Sequence, residues 1–206
     1  MGYFRKAEHP LLSHALRILR DRNTPMHEFR TWMKIASQIT ILEATRDLPL
    51  FHAEATSPVA PFTGEEIKTM PHFVVILRAG LGMLEGALSL FPHSKVSFLG
   101  LARDEKTLQA SSYMERLPEN FQGEPVIILE PMIATGNSLN LALKKISSRK
   151  AQTIKVVSII AFRGGITKVA AQNDVEIITA AIDENLNERG FIVPGLGDAG
   201  DRLWDG

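Results

Sequence analysis

The chain contains no cysteine. That excludes a disulfide framework, thiolate metal sites and a cysteine nucleophile. It also lacks net charge, with 23 Lys and Arg set against 23 Asp and Glu. Nothing in the total draws it to nucleic acid or to a membrane surface, so any basic site must be local. No apolar run approaches the length needed to cross a bilayer, and the opening MGYFRKAEHP lacks the apolar centre of a signal peptide. A soluble cytoplasmic protein is the expectation. Histidine is confined to the first half of the chain, at positions 9, 14, 27, 52, 72 and 93, and neither an HExxH nor a GxSxG pattern occurs. Catalysis through imidazole is therefore not expected. What remains is a 206-residue chain, 45% hydrophobic and 22% charged, large enough to bury a full core.

Its most informative stretch is PVIILEPMIATGNSLN, Pro125 to Asn140. The β-branched run Val126–Leu129, bounded by Pro125 and Pro131, reads as a buried strand of a parallel sheet. Glu130 stands at its carboxyl end. Thr135, Gly136, Asn137 and Ser138 then lead into an apolar-periodic helix through Leu139, Leu141, Ala142 and Ile146. Strand, acid, small polar turn and helix together make an anion site, because amides at a helix N-terminus and neighbouring hydroxyls suit a phosphate. The acid suits sugar hydroxyls or a phosphate-bound Mg²⁺ instead. The implied ligand is a phosphorylated sugar. An ordinary N-cap at Thr135 or Ser138 fits the same residues. A nucleotide P-loop does not, since no lysine follows the glycine.

Elsewhere the pattern alternates. Leu11, Leu12, Ala15, Leu16 and Leu19 share a helical face, and Thr24 before Pro25 reads as the N-cap of a second helix with Phe29, Trp32, Met33, Ala36, Ile39 and Leu42 as its stripe. Residues 48–71 are proline-rich and read as a loop-rich connection that could include short strands. Strands are expected at Phe73–Arg78, Val96–Leu101, Ile154–Ala161 and Val175–Ala181, with helices after the first and between the last two. This is an α/β chain with a parallel sheet. Arg78, Arg103 and Glu130 all fall at the carboxyl ends of strands, where such sheets bind ligands, and Gly80 and Gly82 offer close backbone approach to a phosphate. The polar run from Ala102 to Arg116 reads as a surface loop or a lid. A literal GxGxxG at Gly195–Gly200 fails as a dinucleotide site, because only six residues follow it. The polar, glycine-rich segment Asp183–Asp201 suits a terminal loop that reads a small planar ring through its backbone.

Together LRAGLGM (Leu77–Met83), ARDEKT (Ala102–Thr107), EPMIATGNS (Glu130–Ser138) and PGLGDAGD (Pro194–Asp201) closely resemble the uracil phosphoribosyltransferase family. HPL at His9, EAT at Glu43 and LNERG at Leu186 extend the likeness over nearly the whole chain. The resemblance implies a type I phosphoribosyltransferase fold: one domain, with a core over about residues 70–182 and a small hood from the terminal segments. It implies transfer of phosphoribosyl from phosphoribosyl pyrophosphate to uracil, giving UMP and diphosphate, with Mg²⁺ held mainly by the substrate. By the same likeness Arg78 and Arg103 would hold the diphosphate and Glu130 would face the ribose. The donor would be bound by Glu130, Pro131, Met132, Ile133, Ala134, Thr135, Gly136, Asn137 and Ser138, with Ala134–Ser138 around the 5′-phosphate. Ile192, Gly197, Asp198 and Ala199 would read uracil, with Asp198 also near the diphosphate and its metal. A homodimer or larger assembly is implied, and GTP is a candidate effector because some relatives respond to it.

The chain departs from the family pattern near this site. Glu130 stands where Asp is usual, Asn137 where Gly is usual, Ala102 in place of a tyrosine and Val75 in place of a proline. Two readings stay open: an active uracil phosphoribosyltransferase, or a weak or silent homologue that binds nucleotide or phosphoribosyl pyrophosphate as a regulator.

Overall fold

The computed structural model of the protein describes residues 2–103 and 110–205, with the backbone alone at 103 and 110. Its elements run β1 (Tyr3–Lys6), α1 (Pro10–Arg20), α2 (Met26–Ala44), β2 (Leu50–Thr56), β3 (Pro61–Ile67), β4 (His72–Leu77), α3 (Leu81–Leu90), β5 (Val96–Arg103) and β6 (Ala110–Arg116). There follow β7 (Pro125–Leu129), β8 (Met132–Ile133), α4 (Asn137–Ser147), β9 (Thr153–Phe162), α5 (Arg163–Gln172), β10 (Glu176–Asp183), β11 (Asn185–Leu186), β12 (Ile192–Val193) and α6 (Ala199–Trp204).

The continuous apolar runs of β4 and β7 are buried almost throughout, as strands covered on both faces must be. They sit in the middle of a sheet ordered β1-β10-β9-β7-β4-β5-β6. Every neighbouring pair is parallel except β5 with β6. Successive side chains sort to opposite faces. Phe73, Val75, Ile127, Leu129, Val157 and Ile159 pack with α1, α2 and α3. Val74, Ile76, Val126, Ile128 and Val156 pack with Leu139, Leu143 and Ile146 of α4 and with Ile166 and Val169 of α5. Two helical layers thus cover one sheet, and the strand ends carry the chemistry.

Several expectations need correction. In α1 the buried residues are Leu12, Ala15, Ile18 and Leu19, whereas Leu11 is exposed. The α2 stripe fades at Leu42, which is also exposed. Pro25, not Thr24, occupies the N-cap of α2; the Thr24 hydroxyl donates to the Ile18 carbonyl instead. In the loop-rich stretch 48–71, residues 50–67 form one antiparallel hairpin, β2 with β3, more ordered than a connection with short strands. Its strands are exposed on both faces, so no period-two burial marks them. Likewise residues 110–116 form an edge strand, not part of a loop or lid. Of the run Ala102–Arg116 read as a loop or lid, residues 102–103 end β5, residues 110–116 form β6, and residues 104–109 lie outside the described residues.

Candidate active site

Beyond the carboxyl end of β7 the backbone is anchored before it turns. Glu130 donates its amide to Val157, and the Pro131 carbonyl accepts from the amides of Ile159 and Ile160 and from the Ser158 hydroxyl. β8 then pairs with β9, Met132 opposite Ile160 and Ile133 opposite Ala161. Residues 134–136 turn into α4, and Gly136 makes the turn in the left-handed region, with φ of +76°. A side chain there would be strained and would also meet Val169 at 2.6 Å. The loop lies directly on α5: a Cβ at Gly165 would stand 1.8 Å from the Ala134 carbonyl oxygen. No side chain caps α4, so its first turn presents its amides, the positive end of the helix dipole, to whatever lies in front.

In front is a cleft of about 170 Å³, lined by Glu130, Met132–Leu139, Gly190–Ile192, Gly197 and Asp198. It joins the loop after β7 to a second structure made near the end of the chain. There β11 and β12 pair antiparallel, and the Asn187 side-chain oxygen accepts from the amides of Arg189 and Phe191 to fix the turn between them. This turn sets Phe191 at the cleft. Asp198 caps α6 by accepting from the Asp201 amide at 3.0 Å.

The second structure is tied to the body by carboxylate and guanidinium groups. Asp183 takes a two-pronged contact from Arg20 at 2.7 and 2.8 Å and a further bond from the Gly195 amide at 2.9 Å. Arg202 donates to the carbonyls of Leu19, Leu196 and Asp21, and its guanidinium lies 4.2 Å from the Phe29 ring centre. Arg30 donates to the Leu203 carbonyl at 2.7 Å.

Electrostatically the two carboxylates Glu130 and Asp183 are opposites. Burial pushes the Glu130 carboxyl up to about 8, against the pull of the Met132 amide. Burial would raise Asp183 too, but the Arg20 fork and the Gly195 amide outweigh it and hold that carboxyl below the ordinary carboxylate range.

The structure brings most of the sequence-predicted site residues together. Glu130, Met132, Ile133, Ala134, Thr135, Gly136, Asn137, Ser138, Ile192, Gly197 and Asp198 all line the cleft. Pro131 and Ala199 are buried behind it. Arg78 follows the end of β4, outside the lining, more than half exposed and 3.7 Å from Asp201. Arg103 ends β5, and its side chain lies outside the described residues. Gly80 and Gly82 are required by packing on the side where a Cβ would sit. A Cβ at Gly80 would strike the Ile76 and Leu129 carbonyls, and one at Gly82 the Leu203 side chain, so both glycines permit internal packing. Sequence reasoning missed Leu139, Gly190 and Phe191. An aromatic directly after glycine in a polar segment was the available signal.

Comparison with known proteins decides the family. The sequence model of the family described as uracil phosphoribosyltransferase matches residues 6–206. The chain belongs to that family. It is 41% identical to the uracil phosphoribosyltransferase of Lacticaseibacillus paracasei over 99% of each chain, and 45% identical to that of a Nocardioides species over 96% of this chain and 95% of the relative. Among solved structures, the AQ2163 protein from Aquifex aeolicus superposes with a TM-score of 0.94 at 38% identity, covering 98% of each chain. A hypoxanthine-guanine phosphoribosyltransferase from Bacillus anthracis shares the fold, with a TM-score of 0.53 at 11% identity over 77% of this chain and 80% of that one. The fold is that of the type I phosphoribosyltransferases.

Proposed function

We propose that this protein transfers the phosphoribosyl group of phosphoribosyl pyrophosphate to uracil, forming UMP and diphosphate. The observation that carries the reading is the single cleft shared by the phosphate-type loop at 134–138 and the glycine-rich segment at 190–198, in a chain of this family. The 5′-phosphate would sit against the first turn of α4, with the Thr135 and Ser138 hydroxyls as further donors. Glu130 would face the ribose hydroxyls. Uracil would lie against Phe191, whose exposed ring suits a planar base, and be read by backbone groups of Ile192, Gly197 and Ala199.

In the reaction the anomeric C–O bond breaks, its electron pair leaves with diphosphate, and N1 of uracil forms the new bond as its proton is released. The sugar passes through an oxocarbenium-like state, so the protein's task is to position two reactants and stabilise charge. Positive charge developing on the sugar beside Glu130 favours the ionised carboxylate, linking progress along the reaction to release of the proton that burial retains. Arg78 would meet the leaving diphosphate. Its exposed pairing with Asp201 is the kind worth under about 1 kcal/mol, so the guanidinium is readily given up. Arg103 is the second arginine of that role.

Mg²⁺ fits this donor set as an ion shared with substrate. Among the described residues no group of three His, Asp or Glu could hold a metal, and Mg²⁺ is commonly bound by one or two carboxylates together with substrate phosphates. Asp198 would lie near the ion without being its main holder, and the ion, when bound, neutralises charge on the departing diphosphate.

The domain is read as one unit whose hood is the β11–β12 ribbon with α6. A homodimer fits the exposed apolar residues Leu50, Phe51 and Phe62 on the β2–β3 hairpin, GTP is a candidate effector by family likeness, and the cytoplasm is the proposed location; no described helix is long and apolar enough to cross a membrane. The test is UMP formation from uracil and phosphoribosyl pyrophosphate with Mg²⁺. Turnover that disappears in Asp198→Ala supports the enzyme. Binding of phosphoribosyl pyrophosphate without turnover supports the regulatory homologue instead.

A further inference from the structure

The cleft meant to hold a phosphate is short of positive charge. Among the described residues its lining contains two carboxylates, Glu130 and Asp198, and no Lys or Arg. The loop from Glu130 to Ser138 contains no basic residue either. Hydrogen bonds from amides and hydroxyls can hold a phosphate dianion, but a cation nearby strengthens them considerably. The structure offers one from the layer beneath. Helix α5 packs against the loop through residues 165 and 169, as the close approaches of Gly165 to Ala134 and of Val169 to Gly136 show. Residue 168 lies one turn from Gly165 and beside Val169, on the same flank of the helix. It is a lysine, and its Nζ donates to the Asn137 side-chain oxygen at 2.8 Å. Asn137 is the first residue of α4 and lines the cleft. The position where the family usually carries glycine therefore carries a side chain that ties an ammonium group to the phosphate loop.

We infer that Lys168 supplies positive charge to the 5′-phosphate subsite and that Asn137 holds it there, an addition to the proposed site that rests on that reading of the cleft. Among other described cations, Arg78 pairs with Asp201 and Arg163 with Glu184 at 2.7 Å, while Arg189 stands on the opposite wall, next to Gly190. Lys168 is exposed and keeps a flexible stem, so its ammonium turns from the amide oxygen to a phosphate oxygen with little rearrangement. Its contribution is to the binding of the phosphorylated donor and not to bond breaking at the anomeric carbon.

Initial rates and a ligand titration test this together. In Lys168→Met the KM for phosphoribosyl pyrophosphate is expected to rise about five- to tenfold, with kcat and the KM for uracil unchanged, and the dissociation constant of ribose 5-phosphate to rise by the same factor. Lys168→Arg restores both, and high salt shrinks the difference. In an Asn137→Ala background the same Lys168→Met change costs less than it does in the native chain. Native-like KM and ribose 5-phosphate affinity in Lys168→Met overturn the inference, as does a parallel change in kcat and both KM values. If the native protein forms no UMP, the proposed function fails, while the ribose 5-phosphate titration still decides the role of Lys168.

Discussion

The two walls of the cleft are built by different means. The wall after β7 is a backbone construction: residues 130–136 are fixed by bonds from β9, by the β8–β9 pairing and by contact with α5 at a glycine. The wall at residues 183–198 has short strands and is held by charged side chains reaching from α1 and from α6, the Arg20–Asp183 pair foremost. The fold of the first should be intolerant of added volume and independent of any one ion pair. The second should be the reverse. The difference teaches that one site can be rigid for two unrelated reasons, and each can be broken separately.

The largest effect is expected from Gly165→Ala. The added methyl would overlap the Ala134 carbonyl, which cannot withdraw without moving the phosphate loop. Displacement of the loop by about 1 Å should lower kcat/KM for phosphoribosyl pyrophosphate on the order of 100-fold, read from initial rates. Next comes Arg20→Met, which strands the buried Asp183 carboxylate. It should cost about 2 to 3 kcal/mol and lower the melting temperature by about 5–10 °C in calorimetry, with KM for uracil rising more than that for phosphoribosyl pyrophosphate. If both variants damaged both substrates equally, the two walls would not be independent.

How much of this was legible in the sequence follows the same division. The phosphate-type loop could be read because its signals are local: a β-branched run, an acid, Gly136 and a helix pattern lie within sixteen residues, Pro125 to Asn140. The pair Arg20 and Asp183 is 163 residues apart, and nothing in either neighbourhood announces the other. The β2–β3 hairpin was legible only as a loop-rich stretch with room for short strands, because neither of its faces is buried and no alternation marks its extent. The packing role of Gly80 and Gly82 was not legible, because a glycine that admits a ligand and one that admits a neighbouring backbone or leucine look identical in sequence.

The carboxylates sharpen the comparison at smaller scale. Between the ordinary value of 4.5 and about 8 the folded protein keeps a proton on Glu130 that the unfolded chain has released. Stability contributed at this residue therefore falls as pH rises through that window and is level above it. Asp183 behaves oppositely, because its carboxyl lies below its ordinary value of 3.8 when folded. Its stabilisation is present above that value and is lost as pH falls through the lower folded value. Melting curves across pH should show the Glu130 slope vanish in Glu130→Gln and the acid-side loss vanish in Arg20→Met. The smallest effect is expected from Phe191→Leu, which removes the aromatic face but keeps an apolar side chain. KM for uracil should rise about threefold to tenfold, the equivalent of a lost ring contact, with kcat little changed.

The most direct test of the whole account is a crystal structure of the protein with UMP. The phosphate should lie on the turn from Ala134 to Ser138 and the base against Phe191, with its polar edge toward the backbone of Gly197 and Ala199, so that one molecule spans both walls. UMP found instead in the open groove of about 560 Å³ beside Lys6, His9 and Ser13, or touching only one wall, would contradict it.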